Sequence, residues 1–214
     1  MKKEHILALL FFGGVWGICE AVLGDALYTN NVPNASVPLT VIGFIVMSLA
    51  LVYLPKAGTA TVVACFAMLY KFLNEPFFAC HILGIVLLGI SYDLFFSVFK
   101  VKNRAICAGL AAYVGYALFA FMITYLFRYE HWVQGGIGKV VRHIGISGTM
   151  AAIGCAVLVP LAFNVGEKFK STFENLFELR FRLPPAAISL VVAGLWGFAV
   201  VSFLLQHRSV IIIL

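Results

Sequence analysis

Long runs of apolar residues divide this sequence, and short stretches between them hold most of its charge. Only 11% of the 214 residues are Asp, Glu, Lys or Arg, against roughly 25% in soluble domains. So few charges do not cover a water-facing surface, whereas about 20 apolar residues cross a hydrocarbon core of roughly 30 Å as a helix. The apolar runs cover residues 6–24, 39–54, 59–73, 77–99, 105–127, 144–165 and 186–205. We therefore predict an all-α, polytopic transmembrane helical bundle of about seven spans, or six if one run is misread, with residues 1–214 forming a single transmembrane domain.

The basic residues between the runs predict the orientation of the bundle, because cytoplasmic loops carry an excess of Lys and Arg. With the N-terminus in the cytoplasm, ten basic residues lie on the inner side: Lys2, Lys3, Lys56, Lys100, Lys102, Arg104, Lys168, Lys170, Arg180 and Arg182. Five lie on the outer side: Lys71, Arg128, Lys139, Arg142 and Arg208. We predict a multi-pass protein of the cytoplasmic (inner) membrane with its N-terminus inside. If run 59–73 or run 186–205 re-enters instead of crossing, every later segment inverts.

Two of the connecting stretches are long. Residues 128–143, which hold Trp132 and three glycines, have the composition of a mixed loop. Residues 166–185 place apolar side chains at helical spacing and charged side chains on the other faces. That pattern predicts an amphipathic helix on the cytoplasmic surface of the membrane, and a docking surface for a partner is the alternative.

Ionisable residues at membrane depth are costly to bury, so the few present here are candidate functional residues. Glu20 lies about one turn from the outer end of the first run, and His81 about one turn inside the outer end of the fourth. Because these two helices run in opposite directions, both residues lie at a similar depth. Lys71 and Glu75 close the third run on the same side, and Asp25 begins the first outer loop. We predict that these residues line one outward-facing substrate site.

Each of these residues also has a structural interpretation. Glu20 is able to pair with a lysine or a hydroxyl group inside the bundle. His81 is of a kind often found as a hydrogen-bonded histidine at the membrane interface. Lys71 and Glu75 are typical of residues that end a helix at the interface, with the lysine stem along apolar surface and the charge in water.

A small-residue ridge on the first run consists of Gly13, Gly17 and Ala21, spaced by four residues. Such a ridge lets another helix approach closely. We predict a partner-binding surface at these three residues, with packing inside the bundle as the alternative.

Several functional classes lack their signatures in this sequence. The five cysteines form no CxxC pair and fall in apolar runs, so no disulfide framework or metal site is predicted. The last run has no lysine for retinal, and paired histidines for haem are missing, so no cofactor is predicted. Motifs of membrane proteases and hydrolases and a phosphate-binding loop are also missing. The net charge of +6 is scattered through the loops, which argues against nucleic-acid binding and favours topology signals.

The first hundred residues resemble a family of transport subunits. A short basic start leads into a glycine-rich helix, GGVWGICEAVLG at 13–24, and then into an uncharged outer stretch. This resembles the S component of energy-coupling factor transporters, small membrane proteins that capture vitamins or metal ions. The resemblance implies that Gly13, Gly17 and Ala21 contact a transmembrane coupling protein. It also implies that residues 25–38 cap a substrate near Glu20 and His81, and that partner ATPases drive transport.

Together these observations predict an integral membrane subunit that captures a small polar or ionic solute from the outer side and works with partner subunits. The alternative is a structural or anchoring membrane subunit of a larger complex. A membrane enzyme acting on lipid or quinone is a third, less favoured interpretation, because no catalytic motif supports it.

Overall fold

Helices make up almost all of the described structure, because an apolar chain in hydrocarbon satisfies its backbone polar groups only through internal hydrogen bonds. The computed structural model describes residues 3–73, 79–99, 102–177 and 186–206, and no strand occurs in these ranges. The α-helices are α1 (Lys3–Ile18), α2 (Gly24–Thr29), α3 (Ser36–Tyr53), α4 (Thr59–Leu69), α5 (Ala79–Asp93), α6 (Arg104–Phe121), α7 (Glu130–Arg142), α8 (Thr149–Lys168), α9 (Lys170–Phe177) and α10 (Ala186–Gln206).

Single π turns join or extend several of these helices. They lie at Cys19–Leu23 between α1 and α2, at Leu94–Val98 after α5, at Met122–Leu126 after α6 and at His143–Gly148 between α7 and α8. A 3₁₀ turn, Tyr70–Leu73, extends α4. Helical paths are therefore longer than the individual α-helices.

Five helical paths in the described chain are long and apolar enough to cross a membrane. They are His5–Thr29, Ser36–Tyr53, Cys80–Val98, Arg104–Leu126 and Glu130–Lys168. Thr59–Leu73 and Ser189–Val201 are also apolar but shorter. The predicted helical, membrane-type chain is thus confirmed in its coarse form. The count of seven spans and the side of the N-terminus stay predictions.

The core of the bundle forms where α8 packs against α3 and α6, and where α4 packs against α1 and α5. Trp16, Phe44 and Tyr92 are among its fully buried large side chains. Gly43 lets α3 approach α1 closely, since a Cβ atom there would lie 2.5 Å from the Trp16 ring. α10 packs on the outside of α1, and its Trp196 donates a 3.3 Å hydrogen bond to the Leu10 carbonyl oxygen.

The small-residue ridge packs within the chain. A Cβ atom at Gly13 would lie 2.4 Å from the Cβ atom of Phe66, and one at Gly17 would lie 2.3 Å from the Tyr70 ring. Ala21 is buried in a cluster with Tyr70. These contacts use the ridge for internal packing, and its contact with a partner stays a prediction.

Three connecting stretches differ from the sequence predictions. The outer stretch 25–38 begins as helix up to Thr29, because the π turn carries the first helix past its predicted end at residue 24. The predicted loop 128–143 is largely the helix α7, whose backbone kinks at Gly136. In 166–185, the first residues complete α8 and Lys170–Phe177 forms a separate helix, while residues 178–185 lie outside the described residues.

The two ends of the bundle are built differently. At one end, which we call the cavity end, the segment 30–35 and the helix α7 connect the long helices. At the other, the closed end, short segments around 54–58 and 102–103 do so. There Asp93 of α5 accepts hydrogen bonds from the backbone N–H groups of Ala60 (3.4 Å) and Thr61 (2.7 Å). The carboxylate therefore caps the first turn of α4 from a neighbouring helix, where the amides have no partner of their own.

Candidate functional site

A cavity of about 880 Å³ lies at the cavity end of the bundle. Its walls come from α2, the first turns of α3 and α5, the 3₁₀ turn after α4, the last part of α6, and α7 with the π turn that follows. The volume lies within the range of about 300–1,000 Å³ that is usual for sites of small organic ligands. It is far larger than a single ion requires.

Four of the five predicted site residues line this cavity: Glu20, Asp25, Lys71 and His81. Glu75 lies outside the described residues. The structure thus brings the four together from the π turn after α1, from α2, from the 3₁₀ turn after α4 and from α5, as their similar depth in antiparallel helices suggested. Their role in binding a substrate stays a prediction.

Glu20 and Lys71 form a buried ion pair in the wall of the cavity. The Lys71 Nζ atom lies 3.1 Å from Glu20 Oε2 and donates a 2.7 Å hydrogen bond to the Glu20 carbonyl oxygen. The indole Nε1 of Trp16 donates to Glu20 Oε1 at 3.2 Å. Glu20 is only 5% exposed and Lys71 only 3%. Two buried charges are tolerable in this geometry because each is paired and hydrogen-bonded.

Two features of the backbone favour this ion pair: the π turn at Cys19–Leu23, and Gly24 directly after it. Glu20 belongs to the π turn, where the backbone hydrogen bonds skip one residue further than in an α-helix. Its carbonyl oxygen faces the lysine as a second negative partner. A Cβ atom at Gly24 would lie 2.9 Å from Lys71 Nζ, so a larger residue there would push the ammonium group away.

His81 and Asp25 line the cavity in different ways. The imidazole ring of His81 stacks on the ring of Tyr28, with centroids 4.8 Å apart and planes inclined by 21°. The two rings join α5 to α2 across the cavity wall. Asp25 lies on α2 and is exposed. It is the more accessible of the two carboxylates in the lining.

Hydroxyl groups connect the helices around the cavity. The hydroxyl of Tyr116 donates to Ser36 Oγ at 3.1 Å and shares a 3.2 Å hydrogen bond with Thr40. Ser147 donates to Asn34 Oδ1 at 2.8 Å. These bonds tie α6 and the π turn before α8 to the start of α3. They hold polar side chains in place at the cavity surface.

An aromatic wall that the sequence analysis missed lines the same cavity as the ion pair. His143 contacts three rings: Tyr116 (stacked, 5.0 Å between centroids), Phe119 (5.6 Å) and Trp132 (perpendicular, 5.0 Å). Lys139 adds a cation, with its Nζ 5.1 Å from the centroid of the Trp132 ring. A signal was present in the sequence, because Val133, Ile137 and Val141 recur every four residues and mark the opposite, exposed face of a helix.

The lining suits a neutral or ionic organic molecule. It combines flat apolar rings with a few fixed hydroxyl, imidazole and charged groups, which is the usual composition of a small-molecule site. Within the described residues, no group of three or more His, Cys, Asp and Glu side chains is arranged to hold a metal ion. The groups available to a ligand in this cavity therefore include aromatic rings, hydroxyl groups and two lysines.

The described chain thus belongs to the broad class of helical proteins with membrane-length apolar helices, and it has a polar and aromatic cavity at one end. Comparison with models of protein families, with curated proteins and with solved structures found no match.

Proposed function

We propose that this protein is an integral protein of the inner membrane that captures a small polar or ionic solute in the cavity, from the outer side. The observation that carries the proposal is the cavity itself. Side chains from separate helices converge on a space of about 880 Å³, and charged, hydroxyl and aromatic groups line it. A bundle that needed only to anchor a complex would gain stability from filling such a space, because empty volume forfeits packing contacts.

In the proposed topology the N-terminus is cytoplasmic, and Thr59–Leu73 and the apolar part of α10 cross the membrane with the five longer helical paths. The cavity end then faces outward, where a solute arrives. The excess of basic residues on the other side supports this orientation. Single cysteines at Asn30 and Lys102, in a background without the native cysteines, test it. A membrane-impermeant thiol reagent added outside should label position 30 and not position 102, and the reverse pattern would overturn the orientation.

The proposed protein works with partner subunits, as the resemblance to S components of energy-coupling factor transporters suggests. Those partners would be a coupling protein and ATPases, since this sequence has no phosphate-binding loop of its own. Purification from native membranes in mild detergent, with mass spectrometry of the co-eluting proteins, tests this part. Co-elution of an ATPase pair supports transport. A stoichiometric set of redox, motor or secretion subunits would favour the anchoring alternative.

One observation favours the alternative of a structural subunit. The Glu20–Lys71 pair is satisfied by groups of the same chain, including Trp16, and so contributes to the packing of the bundle without any solute. The two functions differ in what the cavity must do. A structural subunit tolerates a filled cavity, whereas a solute-binding protein does not.

A pair of glycine variants separates these functions. Gly84 lines the cavity, and a Cβ atom there would lie 3.7 Å from the Phe119 ring, so Gly84→Leu adds its bulk to the cavity without a backbone clash. Gly145 is exposed with nothing within 4 Å of its Cβ position, so Gly145→Leu is the matched control. We expect native mass spectrometry to detect a co-purified small molecule with the wild type and Gly145→Leu and to find it lost with Gly84→Leu. Equal occupancy in all three proteins would refute capture in this cavity.

A further inference from the structure

Lys139 is held at the cavity by a cradle formed from its own helix. Its side chain folds back along α7, where Nζ donates a 3.1 Å hydrogen bond to the carbonyl oxygen of His131 and lies 5.1 Å from the centroid of the Trp132 ring. Trp132 is only 8% exposed, so one side of the ammonium group rests on a fixed surface. A lysine at a membrane surface usually extends into water, and this one is instead returned toward the protein.

Two glycines make this conformation possible. Gly136 has φ +59° and ψ −165°, a region that side-chain-bearing residues hardly occupy, and the kink there separates the two halves of α7. At Gly135 a Cβ atom would lie 2.4 Å from Lys139 Cδ and 2.8 Å from Lys139 Cβ. Any other residue at 135 would therefore push the lysine side chain out of its cradle.

The charge of Lys139 also differs from that of Lys71, the other lysine of the lining. Lys71 is neutralised by the carboxylate of Glu20. Among the described residues, no carboxylate forms a salt bridge with Lys139. An ammonium group has three N–H donors, and the His131 carbonyl takes one of them. The half-buried position strengthens the attraction of this cation for a negative group compared with water.

We propose that the solute captured by this cavity is an organic anion whose acidic group binds Lys139. This inference rests on the function proposed above and adds to it that the solute carries a negative charge. The carbon skeleton lies against the adjacent rings of Trp132, Phe119 and His143, which stand 5.0–5.6 Å from one another. Asp25, which also lines the cavity, would be the partner of a cationic solute, so the opposite preference is a defined outcome of the test.

The test uses three probes of nearly the same shape and different charge: 2-naphthoate, 2-naphthamide and the 2-naphthamidine cation. Binding to the full chain in nanodiscs of zwitterionic lipid is measured by calorimetry, with empty nanodiscs as the blank. We expect naphthoate to bind about tenfold or more tightly than the other two, because hydrogen bonds to charged groups exceed neutral ones by about this amount. Lys139→Gln should remove that preference, whereas Lys102→Gln, in the short connection at the closed end, should keep it.

The cradle gives a second test that leaves the lysine in place. Gly135→Ala should weaken naphthoate binding nearly as much as Lys139→Gln, because it displaces the side chain. Gly138→Ala is the matched control, since nothing lies within 4 Å of its Cβ position. Loss of naphthoate binding in Gly135→Ala with retention in Gly138→Ala supports a positioned lysine. Equal binding by both would refute the cradle.

The outcomes separate this inference from the proposed function. If the cavity binds all three probes equally, or prefers the amidine, solute capture stands and the anionic solute is refuted. If Gly84→Leu abolishes the preference for naphthoate together with its binding, the anion lies in the cavity as proposed. If none of the three probes binds the wild type, both the inference and the capture of an aromatic solute are refuted.

Discussion

A buried carboxylate lies at each end of this bundle, yet the two carboxylates have different partners. At the closed end, the Asp93 carboxylate accepts hydrogen bonds from two backbone amides and from the hydroxyls of Thr61 and Ser97. Groups at the start of α4 and on its own helical path therefore satisfy this carboxylate. At the cavity end, Glu20 is paired with Lys71 beside open volume. Of these two buried acids, Glu20 lines the cavity and Asp93 does not.

The two ends of the bundle also differ in the connections that the structure describes there. At the closed end, Thr59 donates a 3.0 Å hydrogen bond to the Leu54 carbonyl oxygen, and α4 starts directly beside the end of α3. At the cavity end, the segment 30–35 and α7 separate the helices they join. Side chains of these two connections, among them Asn34, Trp132 and Lys139, form part of the cavity wall.

The largest effect that we expect comes from breaking the buried pair at the cavity end. Lys71→Met should destabilise the protein by about 3–5 kcal/mol, because it leaves the carboxylate of Glu20 buried without its cation. Glu20→Gln should be harmful for the same reason, so on its own it is a poor test of solute binding. The double variant Glu20→Gln/Lys71→Met should recover most of the loss. Thermal unfolding followed by fluorescence-detected size exclusion measures this, and a Lys71→Met protein as stable as the wild type would contradict the assignment.

A smaller effect is expected at the closed end. Asp93→Ala should cost about 2 kcal/mol, because it leaves the amides of Ala60 and Thr61 without acceptors. Asp93→Asn keeps one acceptor oxygen and should cost less. Once corrected for the folded fraction, probe binding should match the wild type, since the cavity lies at the other end. If Asp93→Ala weakened binding as much as Gly84→Leu, the separation of the two ends would be wrong.

The smallest loss of stability is expected from removing the hydroxyl group of either of two tyrosines, one at each end of the bundle. Each of these hydroxyls bonds to side-chain hydroxyls of α3. Tyr92→Phe at the closed end removes a 2.8 Å hydrogen bond with Ser48, and Tyr116→Phe at the cavity end removes bonds with Ser36 and Thr40. Each should cost about 1 kcal/mol of stability. Only Tyr116→Phe should also change probe affinity, because its partners line the cavity. The comparison of unfolding temperature with affinity for the two variants checks this, and an equal change of affinity in both would argue against it.

Much of the fold was predictable because hydrocarbon permits few alternatives. Apolar runs such as 39–54 and 105–127 became helices with ends within a few residues of the predicted ones, α3 (Ser36–Tyr53) and the path Arg104–Leu126. Depth along antiparallel helices also predicted that Glu20 and His81 would lie near each other. Depth does not tell which side chains pair, so the Glu20–Lys71 contact needed the structure.

The features that escaped prediction depend on local backbone geometry. Gly135, Gly136 and Gly138 made α7 look like a loop, because glycine lowers helix propensity, although two of these glycines serve the conformation of Lys139. The π turns have no clear sequence signal, and one of them begins at His143 of the aromatic wall. Side-chain spacing at 3.6 residues per turn therefore fails beyond each π turn.

The π turn at Cys19–Leu23 has a consequence for how the length of the first helical path can change. A π turn holds one residue more than the α-turn it replaces, and one residue corresponds to about 100° of rotation around the helix axis. The wider π turn absorbs that rotation, so deleting one residue there would convert the path His5–Thr29 into a regular α-helix and leave Asp25 and Tyr28 on nearly the same side of it. The first helical path can thus lose one residue at this turn while the side chains of α2 keep their positions in the cavity wall.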